Sequence, residues 1–106
     1  MSVLEKGKID FIGIDKLTGK VVLTISDHLG WEDELLHIYH LQEKVNAYID
    51  FIESGEIYEA FPLAKGKSIV ISIVFKFVIS TNGIEFLKKV KGSLYDLDIE
   101  LLYSSL

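Results

Sequence analysis

Residues 68–79 read SIVISIVFKFVI. Isoleucine, valine and phenylalanine dominate, and β-branched and aromatic side chains fit a pleated, half-buried surface. The apolar run from Ile69 to Ile79 is interrupted by Ser72 and Lys76. It falls well short of the roughly 20 residues that a membrane-crossing helix needs, so it reads as a strand. The period of two splits it into Ile69, Ile71, Ile73, Phe75, Phe77 and Ile79 on one side, and Ser68, Val70, Ser72, Val74, Lys76 and Val78 on the other. The first set must face a layer of helices and the second is mixed.

Upstream lie two shorter strands, KIDFIGI (8–14) and KVVLTIS (20–26), joined by the turn DKLTGK, in which Gly19 is available for positive φ. Alternation continues the apolar face through Ile9, Phe11, Val21, Leu23 and Ile25, and the mixed face through Asp10, Ile12, Lys20, Val22 and Thr24. Between this hairpin and the 68–79 strand, Leu35, Ile38, Leu41, Val45, Ile49 and Ile52 recur at spacings of three and four. That spacing predicts a helix over 31–54, with Glu32, Asp33 and Glu34 in its first turn and Gly55 just past its end. The segment 56–67, EIYEAFPLAKGK, reads as a loop. Downstream, Asn82 and Glu85 have the spacing of a capping box for a helix over 83–91, with Gly92 able to stop it. LDIELLY (97–103) is the last strand.

The order ββαβαβ predicts one α+β domain over 1–106, with two layers. The expected sheet is four-stranded and mostly antiparallel, with two helices on one face. Val22, Val70, Val74, Val78 and Leu102 make the opposite face more apolar than solvent requires, and a homodimer through that face is the expectation.

The chain has 106 residues, is 49% hydrophobic and has no cysteine, so disulfide and thiolate chemistry are excluded. Its start, MSVLEKGKID, lacks the apolar segment of a signal peptide, and a cytoplasmic protein is the expectation. The net charge of −5 disfavours nucleic acid as a partner. The segment 27–64 carries −8 and the remainder +3. Such polarity steers association with a basic protein.

Residues 26–44, SDHLGWEDELLHIYHLQEK, hold all three histidines and the only tryptophan. His37 and His40 form H-x-x-H on a helix, a weak metal signal without H-E-x-x-H or a distant matching ligand. A boundary His37 paired with Asp33 or Glu34 is the simpler reading. Asp27 next to His28 at the strand-to-helix junction lacks an evident nucleophile and reads as a cap. AKGK (64–67) is not a phosphate loop, and the acids near residue 32 repel phosphate.

Three long stretches also carry a family resemblance: IDFIGIDKLTGKVVLTISDHLGW (9–31), LQEKVNAYIDFIESGEIYEAFP (41–62) and AKGKSIVISIVFKF (64–77). Together they resemble DUF6572, a family of small bacterial domains. The resemblance covers nearly the whole chain and implies no particular activity, because the family has no assigned biochemistry.

The residues therefore point to a non-catalytic protein-interaction module of immunity or regulatory type, with no cofactor and no membrane. Its expected partner surface consists of Trp31, Glu32, Asp33, Glu34, Asp50, Glu53, Glu56, Tyr58, Glu59 and Phe61. The alternative is a small-molecule module with a pocket between the sheet and the first helix, near Trp31 and Tyr48. An enzyme or metal site built on Asp27, His28, His37 and His40 ranks last.

Overall fold

The computed structural model describes residues 9–106. The predicted start of the first strand at Lys8 lies outside them. Strand β1 (Phe11–Ile14) turns through Asp15, whose carboxylate accepts from the amides of Leu17 and Thr18, and Gly19 takes φ +74°. Strand β2 (Val21–Asp27) follows, then helix α1 (Glu34–Glu53), short helix α2 (Glu56–Ala60) and a 3₁₀ turn at Pro62–Ala64. Strand β3 (Ile69–Phe75), helix α3 (Thr81–Tyr95) and strand β4 (Ile99–Ser105) complete the fold.

The four strands lie side by side in chain order, β1-β2-β3-β4. Strands β1 and β2 pair antiparallel, whereas β2–β3 and β3–β4 are parallel. The mostly antiparallel sheet expected from the sequence is therefore corrected to a mixed one. A helix between two strands returns the chain to the end of the sheet it left, so the next strand runs the same way. Alternating β, α, β, α, β forces parallel pairing twice. The near-continuous apolar β3 is the corresponding composition, that of a parallel central strand. Among the described residues the helices number three rather than two, because residues 56–60, read as loop, form α2.

One core cluster holds Val21, Leu23 and Ile25 of β2, Ile69, Ile71, Ile73 and Phe75 of β3, and Ile99 and Leu101 of β4. Against them pack Leu41, Val45, Tyr48 and Ile52 of α1, Ile57 of α2, and Leu87 and Leu94 of α3. All the strand members have odd numbers, so the helices cover one face, as expected. The other face shows Thr24, Ser72 and Leu102 among β-branched residues.

Several boundaries move. β3 stops at Phe75 rather than Ile79, and Phe77 and Val78 are exposed in the following loop, so Val78 is not on the sheet face. The N-cap of α3 is Ser80, whose hydroxyl accepts from Gly83 N–H at 3.0 Å, and Asn82 is already helical. Gly92 sits inside α3 instead of ending it. Gly55 does follow α1 in the left-handed region, at φ +84°.

The phase of β1 is opposite to the prediction. Phe11 lies opposite Thr24, and Ile12 and Ile14 lie opposite Leu23 and Val21. Residues directly opposite share a face. Ile12 and Ile14 therefore turn inward, and Phe11 stands on the open face, 63% exposed, beside Gly13.

Candidate functional site

The candidate centre is the corner where β2 hands over to α1. Parallel strands β2, β3 and β4 all end on this side of the sheet. Asp27, the last residue of β2, is buried. Its Oδ1 accepts from Leu29 N–H at 3.0 Å, which closes the turn. Its Oδ2 is hydrogen-bonded to His37 Nε2 at 2.5 Å, and Gly30 O accepts from His37 Nδ1 at 2.9 Å. Asp33 caps α1 by accepting from Leu36 N–H at 3.1 Å, which places His37 one turn in, facing the sheet. Trp31 stacks on the His37 ring, with centroids 3.7 Å apart and planes 22° apart. Phe75, at the end of β3, backs both rings at 6.0 and 6.4 Å.

Helix α3 closes the corner. Gly83 is buried against Trp31, and a Cβ there would lie 2.7 Å from the indole Cη2. Asn82 donates to Glu34 Oε2 at 2.8 Å, tying the first turns of α1 and α3 together.

Both nitrogens of the His37 ring are engaged within the protein, Nε2 by the Asp27 carboxyl and Nδ1 by the Gly30 carbonyl. The pair is a buried structural clasp between β2 and α1. A surface cleft of about 430 Å³ opens beside it, lined by Leu29, Glu32, Leu36, His37 and His40. Two buried atoms near the corner, Trp31 Nε1 and His40 Nδ1, have no hydrogen-bond partner among the described residues. His28 is exposed, and among the described residues no three histidine or carboxylate side chains gather to hold a metal.

A second buried cluster joins β1 to α1. Lys44 Nζ, wholly buried, lies 3.2 Å from Asp10 Oδ1 and 5.6 Å from the centre of the Tyr48 ring. The Tyr48 hydroxyl donates to Thr24 O at 3.0 Å and accepts from Asp10 N–H at 2.9 Å. Burial pushes this hydroxyl up to about 12 from its ordinary 10. The nearby Asp10 carboxylate pushes the same way, and the Asp10 amide opposes them.

The expected partner residues do not form one surface. Glu32, Asp33 and Glu34 stand at the start of α1, and Asp50, Glu53, Glu56 and Glu59 at its far end and on α2. At about 1.5 Å per residue, α1 separates the two groups by roughly 30 Å. Trp31 is packed into the corner, while Tyr58 and Phe61 are half-buried against the core. The space between the sheet and α1, where a ligand pocket was expected, is filled by Leu41, Val45 and Tyr48. Of the expected dimer face, Val22, Val70, Val74 and Leu102 do lie on the side away from the helices. Val70 is 2% exposed there, next to the Lys20–Glu100 ion pair (2.9 Å), which bridges from β2 to β4 across β3.

The Asp27–His37 clasp and the Asp10–Lys44 pair escaped the sequence reading. His37 was expected to pair with Asp33 or Glu34, but those carboxylates accept from Leu36 N–H and Asn82, and the partner is ten residues back. The only available signal was that His37, Lys44, Tyr48 and Ile52 recur at helical spacing beside Leu41 and Val45.

The model of a family of unknown function, DUF6572, matches residues 1–106, the whole chain. No curated protein and no solved structure matches.

Proposed function

We propose that this chain, which belongs to the DUF6572 family, is a non-catalytic protein-interaction domain that docks a basic partner on the acidic end of α1 and on α2. The observation that carries the reading is charge placed against a helix dipole. The last turn of α1 has no basic residue, and Asp50 and Glu53 stand there, exposed. Acids at a helix C-terminus are disfavoured by roughly 0.3–1 kcal/mol each. Helix stability therefore does not account for them.

Glu56 and Glu59 follow within two turns on α2, also exposed. None of these four carboxylates has an ion-pair partner among the described residues. An unneutralised acidic patch of this kind raises the encounter rate with a basic surface and selects against acidic ones. A stoichiometric blocker or regulator of a basic protein fits it. The closed hydrogen bonding of His37 supports the non-catalytic part of the reading.

The test is the reversal of Asp50, Glu53, Glu56 and Glu59 to lysine. Association with a captured basic partner should slow at least tenfold and lose its dependence on salt. An unchanged rate and salt slope would remove the acidic surface from the account.

A further inference from the structure

The two edges of the sheet are unlike. β1 is four residues long and is clamped to α1 through Asp10 and Tyr48. β4 is seven residues long, IELLYSS, and no strand pairs with its outer side among the described residues. Exposed edges are ordinarily protected by lysine, proline or a bulge. β4 has no lysine or proline, its register with β3 runs unbroken from Ile99 to Ser105, and its single charge is Glu100.

We infer that β4 is a self-pairing edge: it joins antiparallel to β4 of a second copy about a two-fold axis at Leu102, making one continuous eight-stranded sheet. Two independent features agree on that register. The first is backbone direction. Leu106 N–H donates to Phe75 O, so the even residues of β4 point their amides at β3. In a parallel ladder the alternate residues point the other way, which leaves the N–H and C=O of Ile99, Leu101, Tyr103 and Ser105 facing outward. With the axis at Leu102, Leu101 meets the second copy's Tyr103, and Ile99 meets its Ser105. Each of these pairs brings outward-facing groups together, as an antiparallel ladder requires. Leu102 meets its own symmetry mate in a non-hydrogen-bonded position, where side chains approach most closely.

The second feature is side-chain chemistry. In this register Glu100 falls opposite Ser104, so like charges do not meet. Leu101 against Tyr103 extends the helix-covered core across the junction. Leu102, 49% exposed in the single chain, is covered by its mate. A cleft of about 330 Å³ beside Ile99, lined by Lys91 and Tyr95 of α3, lies where the end of the incoming strand runs. The pairing leaves the acidic patch on α1 and α2 free, so it stands or falls separately from the proposed partner.

The chain has no cysteine, which permits a clean test. Leu102→Cys should form a disulfide-linked dimer under mild oxidation, because the paired Cα atoms lie about 4.5 Å apart. Ser104→Cys and Thr24→Cys should not. In the cysteine-free protein, sedimentation should give twice the monomer mass. Leu102→Lys and Leu102→Glu should each sediment as monomers with an unchanged circular dichroism spectrum, and a mixture of the two should recover the dimer. A wild-type monomer at hundreds of micromolar overturns the inference. So does a dimer that survives Leu102→Lys, or one cross-linked through Thr24→Cys on the open face.

Discussion

His37 shows how much of this fold rests on single buried groups. Its ring has a carboxylate on one side, a carbonyl on the other and an indole across its face. Removing one partner of a buried hydrogen bond costs about 1–3 kcal/mol, because the other is left unsatisfied. His37→Ala and Asp27→Asn should each lower the unfolding free energy measured in urea by that order. The double variant should lose far less than the sum, read as a double-mutant cycle. Gly83→Ala makes a contrary case. Alanine favours a helix over glycine by about 1 kcal/mol, yet the added methyl meets a rigid indole. We expect net destabilisation and a shifted emission spectrum, which Trp31 reports alone because it is the only tryptophan. Tyr48 sets a pH dependence. Below pH 10 its hydroxyl is protonated whether the chain is folded or not. Between pH 10 and about 12 the unfolded chain ionises first, so stability falls through that window by about 3 kcal/mol. Tyr48→Phe should flatten that part of the curve relative to wild type. None of these three environments was legible in the sequence, since each depends on a partner brought in from a different element.

Elements were read better than their faces. The six major elements occur in the order that periodicity predicted, because strand and helix periods are local properties. Pairing direction, helix rotation and strand phase are not local. In β1 the choice lay between burying Phe11 and burying Ile12 with Ile14, and both sets are apolar. The inward set also carries Asp10, which a pattern rule turns to solvent. Buried Lys44, on another element, is what permits Asp10 inside. The same rotation leaves Leu35 82% exposed in α1 and buries His37 and Lys44 instead. The phase is open to direct test by urea denaturation. Phe11→Ala should cost less than about 1 kcal/mol, whereas Ile71→Ala, wholly buried in β3, should cost about 2–5. The end of α1 offers another test at this scale. Glu53→Lys removes an acid from the negative pole of the helix and should raise the melting temperature of the isolated protein. Residues kept for a partner commonly have that signature: replacing them stabilises the free chain.

On the scale of the molecule, no described helix is long and apolar enough to cross a membrane. The sheet has one face under helices, one face bare and two unequal edges. Its order follows the order of the chain without a reversal. Synthesis delivers the pieces in that same order. The β1–β2 segment leaves the ribosome before α1, which packs onto β2 through Asp27 and Tyr48. β3 then finds a finished edge waiting, and β4 finds another. No strand has to be inserted between two neighbours that have already paired. The sheet can therefore form vectorially, one strand at a time, and each intermediate exposes the edge that the next segment will cover.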